Sequence, residues 1–415
     1  MNKSFVEYIK QRGFYNQCTN HNELIKLLKK NTVGYAGFDC TADSLHIGSL
    51  VPIMLLRAFQ KFNHKPIILL GGGTTLIGDP SGKEETRQIM NNDIIKTNKK
   101  KLKKLFENFL SFNNSLSGAL IIDNYEWLSK LNYVSFIREI GSHFSVNKML
   151  NLDSVKQRIK RQQNLSFLEF NYVLLQSFDF LELYKMYNCQ IQFGGSDQWG
   201  NIISGIELVR KKTGKEVIGL TSPLITTSSG AKMGKTNKGA VWLTKEKLTP
   251  YEYWQYWRNT DDKDVVKFLK LFTELPISEI DKFSYIKGSK LNDAKILLAD
   301  ETTKICHGEI ESNKASSSAK NIFSSKNLDS NIPEKNKLKI TEEQLNNGIL
   351  LKELLQITNL TASIGESKRF ILNGAIKIND KRVSDKDYLI KKKDFNEKNI
   401  IKISLGKKKH GLIEM

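Results

Sequence analysis

Cysteine is sparse in this chain. Cys18, Cys40, Cys189 and Cys306 are too widely spread for a disulfide framework, and no two stand at metal-ligand spacing. They read as reduced thiols. Long apolar runs are missing as well: stretches such as Ile67–Leu70 and Val173–Leu175 fall far short of a membrane span. Met1 to Lys10 has neither the apolar core of a signal peptide nor an Arg-rich amphipathic presequence, so the expected location is the cytoplasm. Acidic residues are the minority, 44 Asp plus Glu against 64 Lys plus Arg, for a formal charge of +20. Such an excess attracts polyanions, although a lysine-rich coding bias, visible also in the many Asn and Ile residues, gives the same number. Position favours the first account, since lysines gather near the C-terminal end at Lys391-Lys392-Lys393 and Lys407-Lys408-Lys409.

With 40% hydrophobic and 26% charged residues the chain is a globular protein, and its 415 residues suggest roughly two to three domains. Through the first 240 residues apolar runs alternate with amphipathic helices, the pattern of a Rossmann-like, doubly wound, mostly parallel sheet in an α/β domain over residues 1–245. Expected strands are Val33–Phe38, Pro66–Leu70, Ala119–Ile122, Cys189–Phe193 and Glu216–Leu220. Expected helices are Leu45–Phe62, Ser166–Tyr187 and Gln198–Lys211. In such a sheet ligands sit beyond the C-terminal strand ends, where Gly71-Gly72-Gly73, Gly78 and Gly194-Gly195 fall. Thr249-Pro250-Tyr251-Glu252 reads as an N-cap, a first-turn proline and a capping-box glutamate, opening a helical region over 246–310. Residues 311–340, rich in Ser, Asn and Lys, are expected to be a flexible linker. The remainder, 341–415, reads as a small α+β RNA-binding module with a Glu366–Asn373 helix opened by Ser367, Lys368 and Arg369, Gly374 as its C-cap, and a hairpin over Ile376–Val383. Basic residues on such a helix and hairpin suit nucleic-acid phosphates.

Five features carry chemistry. The run Tyr35 to Leu50, Y-A-G-F-D-C-T-A-D-S-L-H-I-G-S-L, breaks a strand at Asp39 to Ser44 and restarts as a helix with His46 and Gly48 at its N-terminus, an arrangement that aims free N–H groups at a phosphate. Lys232-Met233-Gly234-Lys235-Thr236, flanked by Gly230 and Gly239, is a loop able to bring two ammonium groups and a hydroxyl onto a polyphosphate. Tyr172, Gln176 and Asp179 recur at helical spacing among apolar neighbours and share one face, lining either a cavity or solvent. Gly78-Asp79-Pro80-Ser81-Gly82-Lys83 is not a Walker loop, because only three residues separate its glycines and Glu84 stands where Ser or Thr would hold magnesium. Asp79 there is either a carboxylate for an ammonium group or an ordinary Asp-Pro turn. In Gly194-Gly195-Ser196-Asp197-Gln198-Trp199-Gly200, Ser196 is an expected N-cap and Asp197 an acceptor for ribose hydroxyls.

Together these runs resemble the class I aminoacyl-tRNA synthetases, specifically the bacterial-type tyrosyl enzymes with their paired HIGH and KMSKS signatures. The resemblance covers nearly the whole chain, and its tail is similar to the RNA-binding domain named after a small-subunit ribosomal protein. It implies a homodimer that activates tyrosine with ATP and transfers it to the 3′-terminal adenosine of tyrosine tRNA. The implied tyrosine site has Tyr35 and Asp179 on the phenol, Asp79, Tyr172 and Gln176 on the ammonium, and Gln192 and Gln198 beside them. For ATP it implies Asp39, Thr41, His46, Gly48, Ser49, Gly194, Asp197 and Lys235. Lys232, Lys235 and Thr236 would close over the β- and γ-phosphates, joined by Lys83 and Arg87, with Mg2+ carried by the phosphates and no dedicated metal site in the protein. Two departures stand out: Ser49 replaces the last histidine of the first signature, and Gly234 and Thr236 replace both serines of the second. On charge alone, Lys148, Arg158, Lys160 and Arg161 are candidate acceptor-stem contacts. Two rivals remain at this point, a tryptophanyl enzyme, whose substrate indole N–H could also donate to Asp179, and an RNA-binding protein that has lost catalysis.

Overall fold

Uninterrupted apolar runs call for strands covered on both faces, and Ile67, Ile68, Leu70, Ile191 and Leu220 are all fully buried. A computed structural model describes residues 4–80, 90–228, 230, 233–236, 239–286, 288–323, 332–333, 336–346, 348–396, 399–406 and 409–415. β1 (Gln17–Cys18), β2 (Val33–Asp39), β3 (Lys65–Gly71), β4 (Leu120–Asp123), β5 (Cys189–Gly195) and β6 (Ile218–Ser222) form one sheet in the order β1-β6-β5-β2-β3-β4. β6, β5, β2, β3 and β4 run parallel, and the short β1 pairs antiparallel with β6. The chain winds outward from β2 through β3 to β4, then returns to β5 on the other side of β2. That reversal between β2 and β5 opens a crevice at their C-terminal ends.

The helix Leu50–Lys61 packs on β2, β3 and β5 and buries Ile53, Leu55, Leu56 and Phe59 completely, each worth about 1.5–3 kcal/mol of transfer free energy. The expected helix over Leu45–Phe62 starts later than its apolar pattern suggests: His46 forms an isolated antiparallel bridge with Trp242, and Ile47–Ser49 is a single 3-10 turn. The helix Phe167–Tyr187 is capped by Ser166 and Glu169 in a reciprocal capping box and ends at Asn188 in the left-handed conformation, φ 51°. It is buried on several sides, with Val173, Leu174, Phe178, Phe180, Leu181 and Leu183 in the core. Ser196 is not an N-cap. It begins the 3-10 turn Ser196–Gln198, and the helix that follows runs Trp199–Thr213 without a side-chain cap bond at its start.

Thr249 and Glu252 form the expected capping box on a helix that begins at Pro250. Helices Val265–Phe272, Ile277–Asp281 and Leu291–His307 follow, and the first of these meets Pro250–Arg258 through Trp257, Phe268 and Phe272. Residues 311–340 differ from a flexible linker at both ends, with a helix over Glu309–Phe323 and a strand at Lys337–Lys339, while 324–331 lie outside the described residues.

The chain divides into two compact units, Met1–Asn313 and Lys314–Met415. β7 (Lys235–Thr236) and β8 (Gly239–Ala240) form a small hairpin in the first. In the second, β9 (Lys337–Lys339), β10 (Ile376–Ile378), β11 (Lys381–Val383), β12 (Ile400–Leu405) and β13 (Lys409–Glu414) are ordered β11-β10-β12-β13-β9. The expected hairpin is β10–β11, turned by Asn379 and Asp380 with φ of 45° and 66°, the backbone that Asn and Asp tolerate best among residues with a Cβ. The tail helix runs Ile364–Leu372, because Ser363 caps it by accepting from Glu366 N at 3.2 Å. Ser367 therefore sits within the helix, fully buried, while Lys368 and Arg369 are exposed at mid-helix rather than at its N-terminus. Asn373 is the C-cap, and Gly374 follows it at φ +64°.

Candidate active site

A cavity of about 210 Å³ opens at the crevice between β2 and β5. Tyr35 and Asp39 reach it from β2, Gln192 and Gly194 from β5, and Tyr172, Gln176 and Asp179 from one face of the helix Phe167–Tyr187. Asp79 and Gln198 complete the polar lining, and Pro52 brings the first turn of the helix after His46 to its wall.

At the deep end Asp179 is 2% exposed. A carboxylate in such a place is costly unless its oxygens are satisfied. Asn124 Nδ2 donates to Oδ2 at 2.9 Å and Trp127 Nε1 donates to Oδ1 at 2.8 Å. Burial pushes the Asp179 carboxyl up to about 7, while the bonds from Asn124 and Trp127 pull it down. Tyr35, 1% exposed and packed against Phe180 with ring centroids 5.3 Å apart, has a buried hydroxyl without a hydrogen-bond partner. Burial, and then the Asp179 charge, hold that phenol well above its ordinary value. The site therefore offers a neutral O–H and a carboxylate at one end of a slot lined by an aromatic helix. Gln192 Oε1 is a second buried oxygen without a partner.

Another polar group forms around Asp79, 9% exposed, whose Oδ2 accepts from Gln198 Nε2 at 2.9 Å. Asn201 Nδ2 holds both Gln176 Oε1, at 3.0 Å, and Gln198 Oε1, at 3.2 Å. Tyr172, 7% exposed, is likewise raised by burial, then by Asp39, Asp79 and Asp179. A string of bonds runs from Asp179 through Asn124 to Asp39: Thr74 Oγ1 donates to Asp39 Oδ1 at 3.1 Å and accepts from Asn124 Nδ2 at 3.1 Å. Asn124, Trp127, Thr74 and Asn201 were not singled out in the sequence. The available signal was an asparagine directly after a short strand with a tryptophan three residues on, but neither belongs to a named motif.

His46, Gly48 and Gly234 meet beside this cavity rather than within its lining. His46 Nδ1 accepts from Gly48 N at 3.0 Å. Gly234, at φ +100°, lies so close that a Cβ there would come within 3.0 Å of His46 Nδ1 and 3.2 Å of Gly48 N. Val241 N donates to Gly234 O at 3.1 Å, and Ile47 N donates to Val241 O at 2.9 Å, so the two signature runs are neighbours in space. Asp197 is exposed, with its carboxylate against Gly195 at the cavity's edge. Thr41 is exposed and Ser49 half-buried, and neither lines the cavity. Lys83, Arg87 and Lys232 lie outside the described residues, and of Lys235 and Thr236 only the backbone is described. Arg158 departs from the expected acceptor-stem set: it is 2% exposed and paired with buried Glu169 at 3.0 Å, so it cannot meet an RNA surface.

Residues 27–324 match the family described as tRNA synthetases class I (W and Y), and residues 331–413 match the Tyrosine--tRNA ligase SYY-like C-terminal domain. A tyrosine–tRNA ligase from Pelagibacter ubique is 49% identical over 416 residues, covering 100% of each chain. One from the Wolbachia of Brugia malayi is 50% identical, covering 98% of this chain and 97% of its own. Among solved structures, a C-terminally truncated mitochondrial tyrosyl-tRNA synthetase of Aspergillus nidulans has 31% identity and a TM-score of 0.70, covering 78% of this chain and 95% of its own. With a matching family over most of its length and relatives near half identity from end to end, this chain belongs to the class I tRNA synthetases of the tryptophan and tyrosine group.

Proposed function

We propose that this chain is a tyrosine–tRNA ligase and that the cavity takes tyrosine with its phenol at Tyr35 and Asp179 and its ammonium toward Asp79, Tyr172 and Gln176. The single observation that carries the orientation is the buried, partnerless Tyr35 hydroxyl beside a carboxylate whose two oxygens are held by Asn124 and Trp127. A substrate phenol donates to Asp179 and accepts from Tyr35, satisfying both. Phenylalanine offers neither a donor to Asp179 nor an acceptor to Tyr35, whose buried hydroxyl stays without a partner. A tryptophan indole donates but cannot accept, so it leaves the Tyr35 hydroxyl without an acceptor. Full-length relatives that carry the tyrosine ligase name favour the same choice.

Held this way, the tyrosine carboxylate points out of the slot toward the β2 and β5 ends. ATP lies there across Asp39, Thr41, His46, Gly48, Ser49, Gly194 and Asp197, its ribose on Asp197. The carboxylate oxygen attacks the α-phosphorus, the bond to the bridging oxygen breaks, and pyrophosphate leaves. Lys232, Lys235 and Thr236, with Lys83 and Arg87, meet the charge that gathers on the leaving phosphates. Rate comes from alignment and prepositioned donors rather than from a covalent enzyme intermediate. Magnesium would be carried by the nucleotide's phosphates. A hydroxyl of the tRNA 3′-terminal ribose then attacks the tyrosyl carbonyl carbon of the adenylate, the acyl–phosphate bond breaks, and AMP leaves.

Residues 1–245 serve as catalytic domain, 246–310 as anticodon-side helices and the tail as a further tRNA contact. Exposed lysines Lys148 and Lys160, with Arg161, remain candidate acceptor-stem contacts. A homodimer is supported by an apolar groove of about 310 Å³ in the first unit, where Tyr133, Phe167 and Leu168 are 65%, 66% and 42% exposed. A second copy of the chain is the occupant that such an exposed apolar face fits best. No helix among the described residues is long and apolar enough to cross a membrane, and a cytoplasmic location suits an enzyme that meets tRNA. Tyrosine-dependent exchange of pyrophosphate into ATP tests the assignment. Exchange supported by tryptophan alone contradicts the specificity, and failure of every amino acid to support exchange favours a binding module without catalysis.

A further inference from the structure

Asp264 stands at the N-cap of the helix Val265–Phe272 and is 5% exposed, yet its side chain makes no cap bond to that helix. An aspartate in this place ordinarily accepts from its own helix's free N–H groups. Here Oδ2 accepts instead from the backbone N–H of Ser228 at 2.8 Å. One helical turn on, Lys267 Nζ donates to the carbonyl of Thr226 at 3.0 Å. The helical region thus grips one donor and one acceptor of a single short stretch, Thr226–Ser228.

That stretch is the root of the lysine run. Ile225 O accepts from Met233 N at 3.1 Å, and Gly230 N donates to Thr227 O at 2.8 Å with Gly230 at φ +81°. The far root is tied to the first signature through Gly234, Val241 and Ile47. One end of the run is therefore fixed by the sheet domain's own signature and the other by the helical region. We infer that Asp264, assisted by Lys267, is a positioning residue for the ATP step: it fixes the root from which Lys232 and Lys235 reach the phosphates. The inference rests on the reading of those two lysines as phosphate-binding groups. Neither Asp264 nor Lys267 lines the tyrosine cavity, so its signature is a defect in activation with tyrosine binding preserved.

The test compares the full-length native enzyme with Asp264→Ala, Asp264→Asn, Lys267→Met, Lys235→Ala and the Asp264→Ala/Lys235→Ala pair. It measures tyrosine-dependent pyrophosphate exchange at varied ATP, equilibrium tyrosine binding and thermal melting. Losing a bond to a charged acceptor and the alignment it secures should slow Asp264→Ala exchange about tenfold or more, with tyrosine affinity within about twofold. Asp264→Asn, whose amide oxygen still accepts, should recover most of the rate, and Lys267→Met should show a smaller loss in the same sense. In the Lys235→Ala background, Asp264→Ala should add less than about threefold, because both changes act on one device. Slow exchange in Lys235→Ala with native exchange in Asp264→Ala overturns the positioning role and leaves the lysine reading intact. Native exchange in Lys235→Ala removes that reading, and this inference with it. Full additivity in the pair, or an equal loss of tyrosine binding, also overturns the role. Should Asp264→Ala fail to fold, Lys267→Met decides on the same readouts, and native exchange there counts against it.

Discussion

Replacing Trp127 by phenylalanine isolates what one buried N–H does for substrate selection. Trp127 is 8% exposed, and its Nε1 donates to Asp179 Oδ1 at 2.8 Å; phenylalanine keeps an aromatic ring there and removes the donor. A hydrogen bond to a charged group contributes about 1.5–3 kcal/mol, which at about 1.36 kcal/mol per unit moves the carboxyl up by about one to two units. Its starting point is about 7. The sign follows from the states: the Asp179 carboxylate is the form that accepts the substrate phenol, so whatever raises its pKa weakens tyrosine binding at neutral pH and spares it at high pH. At about pH 7.5 the ionised fraction drops from about three quarters to between about a quarter and a thirtieth, so affinity falls roughly three- to twenty-fold. Equilibrium dialysis with labelled tyrosine between about pH 6 and 9 reads this directly. The native profile should weaken below about pH 7, and the variant's midpoint should lie one to two units higher, with most of the affinity regained near the alkaline end. An unmoved midpoint, or a loss that persists unchanged at every pH, refutes the idea that Trp127 acts through the charge on Asp179.

Other substitutions probe separate parts of the account. Gly234→Ser brings the second signature nearer its family form but places a Cβ at φ +100° and 3.0 Å from His46 Nδ1; with about 1–3 kcal/mol of backbone strain, activation should slow roughly tenfold or more while tyrosine binding holds, and an unchanged exchange rate counts against this packing. A chain ending at Phe323 should keep tyrosine activation and lose most tRNA charging, whereas full charging removes the case for a tRNA contact in the tail. Phe167→Asp puts a charge on the exposed apolar groove and should sediment as a monomer; a dimer of native stability places the interface elsewhere.

Much of the fold was legible because burial on both faces leaves a plain trace. β2, β3 and β5 start and end within two residues of the expected strands, and the reversal between β2 and β5 puts the cavity at the glycine-marked strand ends. Tyr172, Gln176 and Asp179 were visible as polar residues at helical spacing on an otherwise apolar helix, and all three line the cavity. What stayed hidden depends on partners far away in the chain. His46 caps the 3-10 turn that leads into the helix rather than the helix itself, and an isolated bridge ties it to Trp242, remote in sequence. Ser196 sits in a 3-10 turn rather than capping, and the tail helix starts after Ser363, which caps it through Glu366 N ahead of the basic residues. Arg158 shows the limit of charge as a guide, since Glu169 draws it into the interior. Asn124 and Trp127 lie just past a four-residue strand and leave no periodic pattern at all, yet they hold the carboxylate on which the substrate reading turns.

The most direct test of that reading is a crystal structure with tyrosine bound. The phenol oxygen should lie within hydrogen-bond distance of both Tyr35 Oη and the Asp179 carboxylate, with the ammonium at Asp79, Tyr172 and Gln176. A ring turned end for end, or bound outside this cavity, contradicts the account.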